Sequence, residues 1–206
     1  MAGYETTSTT MKWMFYELSK NPEIQERARQ EAKQFPHPTY DDYPNMDYLQ
    51  AVMMETLRLH SPALSSLKEC VKTTTIGPHT IPKGSRMYAY INGVHRFSPE
   101  YNNETYRGDQ FAPERFLDKE FKKRVVNNVS WMPFSLGPRK CLGYMFAQIE
   151  TCMIVSVLLQ QYEFILLNDE SNPADKVIPM ENITSYPSNL RVKVRKISDR
   201  ETPREE

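Results

Sequence analysis

The hydrophobic positions in the first part of the chain repeat every three to four residues, which predicts amphipathic helices. The first covers residues 1–19. The second begins with Asn21 as its cap and Pro22 as its first helical residue, and it ends near residue 33. Their apolar stripes are Met11, Met14, Phe15 and Leu18 in the first helix and Ile24, Ala28 and Ala32 in the second. Stripes of this kind predict that each helix packs one face against a core.

A third helix is predicted over residues 47–60, and Pro62 ends it. Its apolar stripe consists of Leu49, Val52, Met53, Thr56 and Leu59. Glu55 and Arg58 lie on a different face, three residues apart, where their side chains can pair.

The middle of the chain changes to a pattern of short strands. These are predicted over residues 71–76, 80–82 and 87–91, with glycine-containing turns between them. Residues 92–130 are predicted to be mostly loop with short helical pieces. A loop rich in glycine and proline follows over residues 131–143.

The last part of the chain predicts one buried helix and a closing hairpin. The helix covers residues 142–161 and is apolar nearly all round after Cys152. The strands cover residues 162–167 and 190–194, and the charged residues 197–206 are expected to fray. With no internal repeat or linker, the pattern predicts a single unit, mainly α with small β-sheets.

Composition excludes several classes of function. Lys plus Arg equals Asp plus Glu at 26 each, so nothing indicates a nucleic-acid partner. Three cysteines, Cys70, Cys141 and Cys152, form no disulfide framework and no zinc pattern, and they suit a reducing compartment. The four histidines are scattered and are interpreted as structural. No apolar run is long enough for a membrane span in this chain.

The strongest chemical signal is the ten-residue segment that begins at Phe134 and contains Gly137, Arg139, Cys141 and Gly143. It resembles the haem-binding loop of cytochromes P450, Phe-x-x-Gly-x-Arg-x-Cys-x-Gly, at every fixed position. A lone cysteine beside a Gly-Pro turn is usually a structural residue. Here the complete match, just before an apolar helix, favours a ligand.

The resemblance implies a role for each matched residue. Cys141 would be the axial thiolate of haem b iron, kept ionised by the iron, by backbone N–H groups and by the helix that follows. Gly137 and Gly143 would allow tight turns near the porphyrin. Arg139 would bind a haem propionate, and Phe134 would shield the sulfur from water.

Two further segments resemble motifs of the family. Glu55-Thr-Leu-Arg58 and Pro113-Glu-Arg115-Phe116 match its Glu-x-x-Arg and Pro-Glu-Arg-Phe motifs, which implies a buried structural cluster of Glu55, Arg58 and Arg115. Taken alone, a Glu/Arg pair one turn apart is more often exposed to solvent. Lys68 stands near a propionate-binding position of the family, although lysine is a point charge and not a fork.

The fourth segment, Ala2 to Thr7, resembles the oxygen-activation motif of the family's central helix. Residue by residue, Glu5 would be the acid and Thr6 the alcohol of a proton relay. Without the other three motifs, an exposed threonine-rich helix start would be an equally good interpretation.

The resemblance covers residues 2–196 and implies the C-terminal half of the P450 fold, with 1–206 as one partial domain of a eukaryotic protein. It implies insertion of one oxygen atom of O2 into a small hydrophobic substrate, with electrons from an NADPH-linked reductase. It also implies an endoplasmic reticulum membrane location, on the cytosolic face, for the full-length protein.

Two alternatives stay open. The first is a truncated, non-catalytic fragment, because the chain starts abruptly inside a motif, and for this reason we expect the 206 residues alone to be partly molten and inactive. The second is a haem-thiolate isomerase or dehydratase, against which the intact Glu5 and Thr6 pair argues. Lys122, Lys123, Arg124 and Lys140 form either a reductase-docking surface or an ordinary solvated charge run.

Overall fold

The computed structural model describes residues 2–182 and 184–200 of the chain. The helices follow the long apolar repeats of the sequence: α1 Ala2–Lys20, α2 Pro22–Ala32, α3 Asp47–Leu59, α4 Ile91–Phe97, α5 Lys119–Asn127 and α6 Tyr144–Gln161. Short 3-10 turns occupy Tyr40–Asn45, Pro99–Tyr101, Pro113–Phe116, Gly137–Arg139 and Ile197–Arg200.

The strands form small antiparallel pairs and no large sheet. They are β1 Ser66–Glu69, β2 Thr74–Ile76, β3 His79–Ile81, β4 Arg86–Ala89, β5 Tyr162–Leu166, β6 Ile178–Glu181, β7 Ser185–Ser188 and β8 Val192–Lys196. In the described residues β1 pairs with β4, β2 with β3, β5 with β8 and β6 with β7. The predicted fold class, mainly α with small sheets, is therefore confirmed.

Helix α3 lies at the centre of the core, which α1, α2, α6 and the 3-10 turn Pro113–Phe116 surround. Its residues from Tyr48 to Leu59 are buried except Gln50. Glu31 of α2 caps its N-terminus, because the two carboxylate oxygens accept hydrogen bonds from the backbone N–H groups of Tyr48 and Leu49 at 2.8 and 2.7 Å.

A second, smaller core joins α1 to the C-terminal hairpins. Trp13, Tyr16 and Val177 are its buried members. The ring of His60, at the end of α3, stacks on Trp13 with centroids 4.0 Å apart, and its Nε2 lies 2.7 Å from Oε1 of Glu17. Burial lowers the pKa of His60, so the neutral ring is favoured in this contact.

Several local predictions are wrong in detail. Asn21 occupies the cap position of α2, but its side chain donates to the carbonyl of Glu17 instead of capping. Residues 66–69, not 71–73, begin the first strand, and Ile91 starts α4 instead of ending a strand. The short, mostly exposed strands of this region have no buried face, so no clear alternation marks them.

The end of the chain also differs from its prediction. The hairpin β6–β7 was not predicted. It comes between β5 and β8 in the sequence, while β5 and β8 pair directly with each other. Helix α6 is not buried all round, since Ile154 and Val157 are each 38% exposed. Of the predicted frayed tail, residues 197–200 form a 3-10 turn, and residues 201–206 lie outside the described residues.

No helix within the described ranges has both the length and the hydropathy that crossing a bilayer requires.

Candidate functional site

Two of the motif segments, the one on α1 and the one that contains Cys141, meet around a cavity of about 460 Å³. Helix α1 contributes Gly3, Thr6, Thr7 and Thr10; the segment after α3 contributes Pro62, Ala63, Ser65 and Ser66; and the cysteine loop contributes Pro133, Phe134, Ser135, Arg139, Cys141, Leu142 and Gly143. We define the cysteine loop as residues 131–143. Residues far apart in sequence thus share one site, as the motif resemblance implies.

The cysteine loop is a tight backbone turn that presents Cys141 at its end. The N–H of Cys141 donates to the carbonyl of Phe134 at 2.9 Å, which closes the loop. Ser135 and Gly137 both have positive φ values, 60° and 73°, so the turn depends on left-handed backbone conformations that glycine adopts at little cost. The thiol of Cys141 is exposed, and it lines the cavity just before α6 begins.

The cysteine loop contacts three neighbouring helices and is also packed by a ring contact within itself. The indole N–H of Trp131 donates to the carbonyl of Met54 on α3 at 3.1 Å, and the N–H of Met132 donates to Nε2 of His95 at 2.8 Å. The ring of Phe134 packs edge-on against Trp131 and Tyr144, with centroids 6.3 Å away in both cases. These contacts connect the loop to α3, α4 and α6.

His95 can accept the Met132 hydrogen bond only when Nε2 is unprotonated. Its side chain is fully buried, and burial, with the nearby charge of Arg58 as a further cause, lowers its pKa to about 4. The neutral ring is thus the form that the fold favours at neutral pH. The sequence predicted a structural histidine here but not its partner.

Glu55, Arg58 and Arg115 come together in the core beneath the site. Arg58 binds both carboxylate oxygens of Glu55, with Nε at 2.7 Å and Nη2 at 2.8 Å, and Nε of Arg115 binds Oε1 at 3.0 Å. Glu55 and Arg58 are 0% exposed and Arg115 is 4% exposed. Burial lowers the pKa of Arg115, which the adjacent Glu55 opposes.

Other guanidinium N–H groups bind backbone carbonyls of α4 and of the segment that joins α4 to α5. Arg58 reaches His95 and Gly108 at 3.0 and 2.6 Å, and Arg115 reaches Tyr101 and Arg107 at 3.1 and 3.0 Å. Because the charged groups are paired and their donors are used, the cluster can be stable without water. It fixes the path of this segment.

The two residues of the predicted proton relay have different surroundings. Thr6 lines the cavity, and its carbonyl accepts a hydrogen bond from Oγ1 of Thr10 at 2.9 Å. Glu5 is not among the lining residues. Its Oε1 accepts a hydrogen bond from Oγ1 of Thr184, in the β6–β7 turn, at 3.0 Å.

The two cations predicted near the haem are also separated. Arg139 lines the cavity, whereas Lys68 is exposed on β1 and does not line it. Sequence reasoning missed Thr7 and Thr10 as wall residues. Their spacing from Gly3 and Thr6 places them on one helix face, and this periodicity was the available signal.

The comparisons with known proteins agree with this architecture. The cytochrome P450 family model matches residues 1–194. The chain therefore belongs to the cytochrome P450 family, as the motifs predicted, and the family is one of monooxygenase-type oxidoreductases.

Individual relatives show how much of a P450 the chain represents. It is 32% identical over 200 residues to cytochrome P450 4c21 of Blattella germanica, which covers 94% of this chain and 38% of the relative. It is 35% identical over 175 residues to cytochrome P450 3A19 of Capra hircus aegagrus, with 83% and 78% covered. A solved cytochrome P450, CYP102L1, matches with a TM-score of 0.82 and 25% identity over 95% of this chain and 43% of that chain. The chain thus spans less than half the length of the first and third.

The site residues fit the haem that the family implies. Among the described residues no group of three or more His, Cys, Asp or Glu side chains could hold a metal ion, so Cys141 is a single donor. A single thiolate suits iron whose other ligands come from a porphyrin. Open space adjoins Gly3 on α1 and Gly143 in the cysteine loop, while Leu142 and Phe146 expose 100% and 68% of their surface. A flat apolar ring system would cover these side chains.

Proposed function

We propose that this chain carries the haem-binding part of a P450 monooxygenase, with haem b held by the thiolate of Cys141. One observation carries the proposal: an exposed cysteine on a tight loop shares a cavity with Thr6 of the oxygen-activation motif. Haem supplies the activation of O2, of which one atom enters a substrate C–H bond and the other leaves as water. The protein residues bind, orient and deliver protons.

Each wall of the cavity has its own task in this proposal. Cys141 binds the iron, and the guanidinium of Arg139 pairs with a propionate as a bidentate donor. The small residue Gly3 leaves room beside Thr6. The hydroxyl of Thr6 holds a proton at the cavity surface, and the carboxylate of Glu5, one residue earlier, exchanges that proton with the exterior.

The substrate proposed for this site is small and hydrophobic. Apolar side chains are prominent among the residues that line the cavity, including Met53, Leu57 and Ile91. A pocket with a few polar groups among apolar ones orients a ligand while burying its hydrocarbon surface. Pro62 and Ala63 belong to the segment that would contact substrate.

The electron donor proposed is an NADPH-linked reductase that approaches the exposed face of the cysteine loop. Lys123, Arg124 and Lys140 are exposed, and Lys122 is half-buried. Two of these side chains are already engaged, since Arg124 pairs with Glu100 at 2.8 Å and Nζ of Lys140 lies 3.5 Å from the centroid of the Tyr144 ring. If these basic side chains attract an acidic surface of the reductase, the rate of association should fall as the salt concentration rises. We propose an endoplasmic reticulum location and a eukaryotic source on the basis of relatives such as the insect and goat P450s.

The ligand assignment is tested by replacing each of two cysteines in the haem-loaded protein. Cys141→Ser is expected to abolish the long-wavelength Soret band that the reduced carbon monoxide complex shows with a thiolate ligand. Cys70→Ser is the matched control, because a hydroxyl can keep the hydrogen bond that Cys70 donates to the carbonyl of Lys72 at 2.8 Å. A band that persists in Cys141→Ser, or disappears in both variants, contradicts the assignment.

The relay is tested with Thr6→Ala. We expect more hydrogen peroxide per molecule of product, because the cavity surface loses its proton donor, while the spectral binding constant of a substrate changes little. Ser8→Ala is a control on the same helix, since Ser8 donates to the backbone carbonyl of Glu5 and is not a lining residue. Unchanged coupling in Thr6→Ala counts against the relay.

A further inference from the structure

The β6–β7 turn contacts two walls of the cavity through adjacent residues. Oγ1 of Thr184 donates to Oε1 of Glu5 on α1 at 3.0 Å. The N–H of Ser185 donates to the carbonyl of Pro62 at 2.9 Å, and the carbonyl of Ser185 accepts from Nε1 of Trp13 at 2.9 Å. Thr184 and Ser185 are only 4% and 5% exposed, so these are buried contacts between elements far apart in sequence.

The hydrogen bond from Thr184 reaches the one acidic side chain of the oxygen-activation motif. Glu5 is half-buried, and none of the ion pairs found among residues 2–182 and 184–200 includes it. A hydroxyl that donates to a carboxylate makes a charge-assisted hydrogen bond, which is stronger than a neutral one. A long side chain without such a bond would sample several rotamers. The hydrogen-bond partner of Glu5 thus comes from a hairpin near the opposite end of the chain.

We propose that Thr184 is a positioning residue for Glu5. Its hydroxyl holds the Glu5 carboxylate in one orientation next to Thr6, and Ser185 ties that orientation to the segment that begins at Pro62 and lines the cavity. The inference rests on the proposed function, in which Glu5 and Thr6 deliver protons. It assigns to the C-terminal hairpin a part in proton delivery, although neither Thr184 nor Ser185 lines the cavity.

The contact itself is tested without any turnover, by a double-mutant cycle in denaturant unfolding of the haem-loaded protein. Thr184→Val keeps the shape of the side chain and removes the donor. We expect it to raise the unfolding constant about tenfold when Glu5 is present and less than about twofold in a Glu5→Ala background. If Thr184→Val raises the unfolding constant by the same factor in both backgrounds, the proposal is overturned.

The positioning role is tested by the ratio of hydrogen peroxide to product, measured as a function of pH. Thr184→Val is expected to raise the ratio and to change its pH profile, to leave the substrate KM within about twofold, and to add nothing in a Glu5→Gln background. Thr184→Ser, which restores the hydroxyl, is expected to restore the wild-type ratio. If Thr184 only stabilised the fold, Thr184→Val would change the ratio in the Glu5→Gln background as well.

A matched control separates this effect from loosening of the hairpin. The hydroxyl of Ser188 donates to the carbonyl of Ile178 across the same hairpin at 3.0 Å and not to Glu5, so Ser188→Ala should leave the ratio unchanged. An increase in Ser188→Ala equal to that in Thr184→Val overturns the proposal. If Glu5→Gln has no effect on the ratio, the acid role of Glu5 is wrong and the positioning role falls with it. If Glu5→Gln has an effect and Thr184→Val has none, only the positioning role is wrong.

Discussion

At the residue scale, His95 connects the cysteine loop to the structural cluster below it. Its Nε2 accepts from Met132, and its carbonyl accepts from Arg58. One residue of α4 thus links the start of the cysteine loop to the helix that carries Glu55. Because the ring must be neutral to accept this bond, the link depends on pH.

The lowered pKa of His95 predicts a stability change in acid. Between pH 6.5 and about 4 the unfolded chain binds a proton on this imidazole that the folded chain does not, so stability is lost as pH falls through that window. At its full extent the loss is about 3 kcal/mol. His95→Gln keeps a possible acceptor for Met132 but cannot titrate, and it should flatten the pH dependence of the unfolding free energy.

Denaturant unfolding at a series of pH values measures this effect. His60 also has a pKa lowered by burial, so its contribution remains in His95→Gln and the slope decreases without vanishing. The exposed His37 offers a matched control, His37→Gln. An unchanged slope in His95→Gln would show that the imidazole titrates in the same way in both states.

At the element scale, the cluster of Glu55, Arg58 and Arg115 holds the α4–α5 segment against α3. Arg115 lies in the 3-10 turn, 60 residues after Glu55 on α3. The backbone N–H of Ala112, 57 residues after Glu55, donates to the same carboxylate. Removing Arg58 leaves Glu55 paired with Arg115 alone. It also leaves Oε2 of Glu55 and the buried carbonyl of Gly108 without the donor they have now, which is more costly than losing an exposed pair.

Arg58→Ala is therefore expected to lower the unfolding free energy by about 3–5 kcal/mol and to reduce the yield of folded haem protein. Arg27→Ala is the comparison, because Arg27 pairs with Glu114 at 3.0 Å but is 54% exposed, and its loss should cost less than about 1 kcal/mol. Unfolding curves and haem content are measured for both variants. Similar losses in the two would contradict a special role for burial.

At the scale of the whole molecule, two of the exposed apolar groups lie on α6 or directly before it. Leu142 and Phe146 lie at the cavity, and Ile154 and Val157 form an exposed pair one turn apart on the outer side of α6. Haem would cover the first pair but has no contact with the second in this proposal. Exposed apolar surface on a helix of the core favours association.

The 206-residue chain studied by itself is thus expected to bind a hydrophobic dye and to self-associate, and adding haem should remove only part of the dye signal. Ile154→Lys should reduce both properties. Gln161→Lys adds the same charge at an exposed polar position of the same helix and is the control. Fluorescence and sedimentation measure the two effects. A monomer that binds no dye would contradict the prediction.

The sequence predicted long helices well and short strands poorly. Helices α1, α2, α3 and α6 begin and end within a few residues of their predicted limits, because each repeats an apolar face over several turns. The hairpin β6–β7 escaped prediction because β6 is exposed at every position and both strands contain proline. Contacts of Thr184 and Ser185 with α1 position this hairpin, and its own sequence has no hydrophobic alternation that would predict it.

The sequence by itself determined the family, the identity of the motif residues and the main helices, because each of these is encoded within short stretches of chain. Only the tertiary structure decided which motif residues lie together: Cys141 and Thr6 line one cavity, Lys68 is not among its lining residues, and Glu5 accepts a hydrogen bond from Thr184, 179 residues away. Periodicity and spacing describe neighbours along the chain. The hydrogen bonds that orient a carboxylate or exclude water from an ion pair depend on how distant segments pack, and no local pattern contains that information.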